Sequence, residues 1–180
     1  MTDDIKKRLD VVLVAGGKYH DIDFARLELL KLLAEDERIR TRVYEDYSNL
    51  HAISNADFLI TYTCDVRPTL EQQKVLRDFV ANGKRWLALH GTNSILQFLS
   101  DGRVDCPRVA PIFMETLGSQ FLSHPPIEPY TVTVADGDHH LVEGVEPFQT
   151  NDELYLMETH GELHVLLETE FEGNTPGFVE

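Results

Sequence analysis

The sequence predicts a three-layer α/β sandwich around a mainly parallel sheet, and two observations predict it. Short continuous apolar runs, typical of strands covered on both faces, occur at residues 11–15, 58–62 and 86–89. Between the first two runs, apolar side chains recur at the spacing of a helix: Phe24, Leu27, Leu30 and Leu33. Strands that alternate with helices in this way form a parallel sheet with right-handed crossovers.

The helices carry their own start and stop signals. Asp21 or Asp23 is suited to cap the first helix. Thr69 and Gln72 have the spacing of a capping box, and Gly83 stands where that later helix should end.

The expected strand order is 2-1-3-4, as in flavodoxin-like folds, with the polar residues 41–45 as an edge strand. In open α/β sheets, ligands bind outside the carboxyl ends of the strands. Three strand ends should therefore converge at one edge of the sheet: residues 16–21, residues 63–65, and His90 with Gly91.

The alternation of strands and helices stops after Ser100. A short helix is expected at residues 112–117, and His124 must be extended because proline follows it. Further strands are expected at residues 130–134, 154–157 and 165–167. Because no linker or repeat divides the chain, we expect a single domain over residues 1–180.

Composition and charge limit the possible ligands. The chain has 180 residues, of which 42% are hydrophobic and 26% charged, as in soluble globular proteins. The formal net charge is −15, which argues against nucleic acid and membrane surfaces because both require a basic patch. Neutral polar ligands such as sugars are not repelled.

The cellular compartment is indicated by two features. Cys64 and Cys106 are too few for a disulfide framework and favour a reducing compartment. Residues 1–7 lack the apolar core of a signal peptide, and no apolar run approaches transmembrane length. We therefore expect a cytoplasmic protein.

His90 is the most informative residue of the chain. It closes an apolar strand and opens a turn with Gly91, at the position where α/β proteins present catalytic side chains. The apolar spacing of residues 95–99 predicts a helix after this turn. Because an imidazole can hold or release a proton near neutral pH, His90 is interpreted as a proton carrier. A core or surface histidine without a chemical role is the alternative.

Other residues are expected to line the same cleft. His20 and His124 are interpreted as catalytic partners of His90 or as substrate binders. The expected substrate-binding residues are Gly17, Thr63, Gly91, Asp152 and Glu153, because glycine amides can hold an oxygen and acidic side chains can bind hydroxyl groups. A tight turn at Gly17 and a solvated turn at residues 152–153 are the alternatives.

The sequence lacks the motifs of nucleotide binding and of the common zinc sites. GxGxxG, GxxxxGK[ST], HExxH and CxxC are all absent, so no nucleotide cofactor is expected. Cys64 could serve as a thiolate nucleophile beside a histidine, but a cysteine at a strand end is more often a packing residue. Ser94 lacks the GxSxG turn of serine hydrolases.

A metal ion is an alternative use of the same imidazoles. His20, His90 and His124, with Asp21 or Glu153, could hold a catalytic ion through three protein ligands and water. These residues come from separate loops, and metal-free proton transfer needs the same imidazoles. We therefore expect neither an intrinsic metal nor another cofactor.

The ordered set of motifs resembles the ThuA-like, trehalose-utilisation family from about residue 11 to residue 155 and somewhat beyond. The segments that carry the resemblance are Gly16-Gly17 with His20-Asp21, Leu89-His90-Gly91, Phe121 with His124-Pro125, Asp138-His139 with Gly144 and Phe148, and Asp152-Glu153-Leu154-Tyr155. The resemblance implies a fold similar to class I glutamine amidotransferases. Those enzymes have a cysteine at the turn where this chain has His90, so glutamine hydrolysis by that route lacks its nucleophile.

The chain departs from that family in two places. The family often has His-Pro after its acidic residue, whereas this chain has Asp138-His139-His140. The family usually continues into a glycine-rich basic turn, a strand and a helix beyond the equivalent of Gly177. We therefore expect a truncated C-terminus and an unpaired sheet edge, which a second copy of the chain could cover in a homo-oligomer.

The resemblance implies carbohydrate utilisation. The expected ligand is a small sugar or keto-sugar, altered by histidine-mediated proton transfer or by hydrolysis rather than by redox chemistry. The alternative is a non-catalytic module that binds a sugar or another protein on the same fold, since fold alone does not decide function.

Overall fold

In the computed structural model, which describes residues 7–179, the chain divides into two compact units. The first unit extends to Leu96 and includes Pro107–Leu117, and the second consists of Gln97–Cys106 and the chain from Gly118 onward. Residues 1–6, part of the segment that argued against a signal peptide, and Glu180 lie outside the described residues. A single domain over residues 1–180 stays a prediction.

The first unit is built on a four-stranded parallel sheet. Its strands are β1 (Leu9–Gly17), β2 (Ile39–Tyr44), β3 (Phe58–Cys64) and β4 (Arg85–Leu89). The order β2-β1-β3-β4, with every neighbouring pair parallel, confirms the predicted 2-1-3-4 order and the edge position of β2. β4 forms the other edge of this sheet, and self-association through it stays a prediction.

The first unit contains four helices. They are α1 (Ile22–Leu33), α2 (Leu50–Asn55), α3 (Leu70–Ala81) and α4 (Pro111–Leu117). Of these, α1, α3 and α4 lie close to their predicted positions, whereas α2 was not predicted. The Asp21 side chain accepts a hydrogen bond from the amide of Phe24, which confirms it as the N-cap of α1. The capping box between Thr69 and Gln72 is present at the start of α3. The short helix predicted at residues 112–117 corresponds to α4.

The prediction of a helix directly after the His90 turn is wrong. The chain there forms one 3-10 turn, His90–Asn93, and does not continue as a helix. The Thr92 hydroxyl donates to the carbonyl of Leu89 at 2.8 Å, and it also lies 3.1 Å from the hydroxyl of Thr61 on β3. These bonds tie the turn to the neighbouring strand, so the apolar residues that follow are not carried onto a helix face.

The parallel sheet buries a core on each of its faces. Val12 and Val14 of β1 face a cluster that includes residues of α2, α3 and α4. Val11 and Leu13 face the opposite cluster, which includes Leu33 of α1. Because successive strand residues point to opposite faces, a strand covered on both sides has an unbroken apolar sequence. The helices and sheet of this unit therefore form three layers.

The second unit contains antiparallel strand pairs. Its strands are β5 (Gln97–Phe98), β6 (Val104–Asp105), β7 (Ser119–Ser123), β8 (Glu128–Val134), β9 (Phe148–Asp152), β10 (Leu156–Thr159) and β11 (Leu167–Glu168). β5 pairs with β6, β7 pairs with β10, and β8 lies between β9 and β11. The strand expected at 130–134 is part of β8, whereas those expected at 154–157 and 165–167 begin two residues later, as β10 and β11.

Among residues 7–179, no helix is both long enough and apolar enough to cross a bilayer.

Candidate functional site

Two imidazoles of the first unit lie side by side at the carboxyl edge of the parallel sheet. His20 belongs to the loop after β1, and His90 directly follows β4. Their ring centroids are 4.4 Å apart and their planes are inclined by 71°. Both residues are half-buried. The strand order thus brings together two residues that are far apart in sequence.

Tyr62 of β3 completes this aromatic group. Its ring stacks on His90, with centroids 5.6 Å apart and an interplanar angle of 15°, and it meets the edge of His20 at 6.3 Å. The ring contacts restrict the orientation of both imidazoles. Sequence analysis missed Tyr62 because an aromatic residue in an apolar strand is usually a packing residue. The parallel register, which aligns Ala15, Tyr62 and Leu89, was the signal that could have found it.

The backbone of His90 is in a conformation that few side chains adopt. Its φ is +46°, in the left-handed region. Such a conformation persists only where the surrounding structure imposes it, and strained residues of this kind cluster at active sites and ligand clamps. Here the buried Thr92, two residues later, anchors the turn to Leu89 and Thr61. The turn directs the His90 side chain towards His20 and Tyr62.

Gly17 and Gly91 are placed against the same residue. A Cβ on Gly17 would lie 1.9 Å from the carbonyl oxygen of Cys64, and a Cβ on Gly91 would lie 2.9 Å from the Cβ of Cys64. Cys64 itself is 2% exposed, and among the described residues neither Cys64 nor Cys106 forms a disulfide. The glycines therefore allow three strand ends to pack closely. Contact between their amides and a ligand stays a prediction.

Asp65, directly after β3, holds the loops around the two histidines together. Its carboxylate accepts hydrogen bonds from Lys18 at 2.9 Å, from Arg67 at 3.2 Å and from the amide of Leu96 at 3.2 Å. Its own amide donates to the carbonyl of Ser94. Burial raises the pKa of Asp65, but these hydrogen bonds and the charge of Arg67 outweigh it and hold the pKa below its usual value. Sequence analysis did not assign Asp65 this role.

Thr63 lies in the core rather than on an open surface. It is 2% exposed, and its hydroxyl lies 3.2 Å from the phenol oxygen of Tyr47. Burial raises the pKa of that phenol, so Tyr47 stays neutral. A role for Thr63 in substrate binding stays a prediction.

The second unit contains a polar pair, His124 and Glu153. His124 Nε2 lies 3.7 Å from a carboxylate oxygen of Glu153, and His124 Nδ1 lies 2.7 Å from the carbonyl oxygen of Pro125. Since a carbonyl oxygen only accepts, Nδ1 carries a proton, and protonation of Nε2 would place a cation next to Glu153. The ring of Phe178 meets the His124 ring at 5.1 Å.

Asp152 is exposed at the end of β9. One of its carboxylate oxygens accepts a hydrogen bond from the amide of Glu153, and Asp152 lies opposite Glu128 in the β8–β9 register.

The predicted site residues are divided between the two units. His20, His90, Gly17, Thr63 and Gly91 belong to the first, and His124, Asp152 and Glu153 to the second. Their functional roles stay predictions.

His20 and His90 could supply two imidazole ligands to a metal ion. A catalytic zinc site usually takes three protein ligands, so this pair does not make such a site by itself. The expectation that the protein has no intrinsic metal stays a prediction.

The fold of the chain is similar to that of two solved structures of other proteins. The chain is similar to the solved structure of a ThuA-like protein from Bacteroides uniformis, at 17% identity and a TM-score of 0.71, covering 91% of this chain and 69% of that one. It is also similar to a ThuA-like protein from Parabacteroides merdae, at 16% identity and a TM-score of 0.62, covering 91% and 68%. At these identities the likeness concerns the fold.

The family of the chain follows from its sequence. No curated protein matches the chain. The family model ThuA, described as trehalose utilisation, matches residues 10–178. Because that match extends over most of the sequence, the chain belongs to the ThuA family.

Proposed function

We propose that this chain is an enzyme of carbohydrate utilisation that acts on a sugar or keto-sugar through proton transfer by His90. Membership of a family described as trehalose utilisation supports the substrate class. The observation that carries the chemistry is the contact between the His20 and His90 rings at 4.4 Å. Two imidazoles at a strained strand end are suited to act as an acid and a base.

A keto-sugar offers a reaction that this pair can perform. Neutral His90 takes the proton from the carbon next to the carbonyl group. The electron pair of that C–H bond forms a carbon–carbon double bond, and the π pair of the carbonyl group moves to its oxygen. Protonated His20 donates a hydrogen bond to the resulting enediolate oxygen and stabilises its charge. His90 then gives the proton to the former carbonyl carbon while the hydroxyl proton moves to the other oxygen, which completes an isomerisation. In a hydrolysis, the same base would instead activate a water molecule.

The proposed fold type is flavodoxin-like, similar to class I glutamine amidotransferases. It is supported by the 2-1-3-4 strand order and by helices on both faces of the sheet. In those amidotransferases the strand end occupied here by His90 carries a cysteine nucleophile. An imidazole there favours proton transfer over covalent glutamine hydrolysis.

The His124–Glu153 pair is proposed to bind sugar hydroxyl groups. A carboxylate that lies 3.7 Å from an imidazole can accept from a hydroxyl while the imidazole donates or accepts. The ring of Phe178 beside His124 supplies apolar surface of the kind that lines small-molecule sites.

The test begins with thermal-shift screening of neutral sugars and keto-sugars, with and without Zn²⁺. Each ligand that binds is then incubated with the protein in D₂O, and exchange of its C–H protons is followed by NMR. We expect exchange in the unaltered protein and a loss of about 10²-fold or more in His90→Ala. His51→Ala is the matched control, because His51 is exposed on α2 and bonded within its own helix.

Each outcome separates the alternatives. Binding with exchange or turnover that is lost in His90→Ala, but kept in His51→Ala, supports the enzyme. Binding without any turnover in the unaltered protein identifies a non-catalytic module. If no sugar stabilises the protein, the carbohydrate assignment is wrong.

A further inference from the structure

The second unit contains a cavity of about 350 Å³ that the proposed chemistry does not use. It lies between the segment after β7, the start of β8 and the chain around Phe171. The apolar part of its wall consists of Pro125, Pro129, Tyr130, Leu154 and Phe171. A volume of this size lies within the range that small-molecule sites occupy.

Two aromatic rings give this cavity its chemical character. Tyr130 and Phe171 are both half-buried, so one part of each ring is available to a ligand. The Phe171 ring lies close to Gly173, where an added Cβ would be 3.0 Å from the ring. Aromatic faces attract cations because the ring quadrupole is negative above the plane.

The charged groups around the cavity are all acidic. Glu128, Glu170 and Glu172 line it, and no lysine, arginine or histidine does. Within residues 7–179, no ion pair joins any of these three glutamates to a basic side chain. Glu128 also lies directly opposite Asp152 in the β8–β9 pair, an arrangement of like charges that destabilises a sheet. A bound cation would relieve that repulsion.

The raised pKa of the Tyr130 phenol is consistent with negative charge beside the cavity. Burial and then the negative charge of Asp152 raise the pKa of its phenol, so the ring stays neutral and keeps its hydrogen-bond donor. A neutral phenol in an acidic cavity can contact a cation without losing its own proton.

We propose that this cavity binds a small organic cation through an alkylammonium group. The ammonium group would lie against the rings of Tyr130 and Phe171, while the glutamates neutralise its charge. A bare metal ion fits less well, because no three acidic groups of this cavity converge on one point among the described residues. The aromatic walls favour a cation that carries carbon.

The probe for this proposal is tetramethylammonium, followed by NMR through the ring signals of Tyr130 and Phe171. We expect saturable shifts of these signals that exceed those caused by sodium chloride at equal ionic strength. tert-Butanol, a neutral molecule of similar size, should cause smaller shifts. Because the attraction is partly Coulombic, added salt should weaken binding.

Variants separate the contributions of charge and ring. Glu170→Gln with Glu172→Gln should weaken tetramethylammonium binding by about tenfold, and Phe171→Leu by about threefold. Glu143→Gln is the matched control, because Glu143 is an exposed glutamate that lines a different cavity of the same unit. The affinity of this variant for tetramethylammonium should be unchanged.

Several results would overturn the proposal. These are shifts no larger than those with sodium, equal shifts with tert-butanol, tighter binding of Ca²⁺ than of tetramethylammonium, or an equal loss of affinity in Glu143→Gln. None of these readouts involves His90 or sugar turnover. The proposal can therefore fail or succeed independently of the proposed function.

Discussion

The carboxylate of Asp65 lies 2.9 Å from the ammonium of Lys18, and this contact ties the loop that carries His20 to the end of β3. The same carboxylate accepts the amide of Leu96, which follows the His90 turn. One buried acidic group thus bonds to the segments on both sides of the imidazole pair. The Asp65 side chain is 4% exposed, whereas that of Lys18 is 63% exposed, so the energetic cost of losing the contact falls mainly on the carboxylate.

We expect Asp65→Asn to destabilise the protein by about 2 kcal/mol at pH 7, because three hydrogen bonds to a charged acceptor are weakened. Since the folded-state pKa of Asp65 lies below its usual value, this stabilisation is complete above about pH 4 and lost as the pH falls through the lowered pKa. Urea unfolding of both proteins at neutral and acid pH measures the difference.

The control for this prediction is Asp78→Asn, because Asp78 is an exposed acid that, within residues 7–179, pairs only with its neighbour Arg77. It should change stability by less than about 0.5 kcal/mol. A stability difference between Asp65→Asn and the unaltered protein that stays constant from pH 7 to pH 2 would contradict the role given to the charge.

The left-handed backbone of His90 predicts opposite effects for two substitutions. Asparagine tolerates a φ of +46°, so His90→Asn should keep the stability of the protein while it loses proton transfer. Valine is β-branched, so His90→Val should lose about 1–2 kcal/mol as well. Thermal unfolding of both variants checks this. Equal stability of the two would show that the turn relaxes when the imidazole is removed.

The fold of the first unit could be predicted because its signals are local and agree with one another. β1 is covered on both faces, so Val11–Ala15 form an unbroken apolar run, and Asp21 and Thr69 mark helix starts through bonds to nearby amides. α2 was missed because its six residues are too few for a clear period. In the second unit, β9 was missed because its residues are mostly polar and exposed.

The candidate site could be predicted only in part. The strand order was enough to place His20 near His90, since both follow strands that end at one edge. It did not indicate that Thr63 would bond to Tyr47 in the core, because which face a residue occupies depends on register. The contact between Asp65 and Lys18 joins side chains from two loops, and no spacing rule predicts such a pair.

The capping box of α3 predicts a coupling between two side chains. The Thr69 hydroxyl accepts from the amide of Gln72 at 3.3 Å, and the Gln72 side chain accepts from the amide of Thr69 at 2.8 Å. We expect Thr69→Ala to cost about 1 kcal/mol, and Gln72→Ala somewhat less. Because the two bonds support each other, the double variant should lose less than the sum in denaturant unfolding. Strict additivity would mean that each bond acts alone.

The close packing around Gly91 predicts that a single added methyl group destabilises this site. A Cβ there would lie 2.9 Å from both the Cβ of Cys64 and the carbonyl oxygen of Thr63, and neither atom can swing away as the end of a long side chain could. The backbone must shift, so we expect Gly91→Ala to destabilise the protein by about 2–3 kcal/mol. The shift should also move His90, which precedes Gly91, and alter its contact with His20.

Gly137→Ala is the control for Gly91→Ala, since an added Cβ at Gly137 meets no atom within 4 Å and its φ is not in the left-handed region. It should leave stability unchanged or slightly increase it. Urea unfolding measures both variants, and NMR signals of the His20 and His90 rings report the site. Unaltered ring signals in a destabilised Gly91→Ala protein would show that the strand-end packing and the imidazole pair are independent.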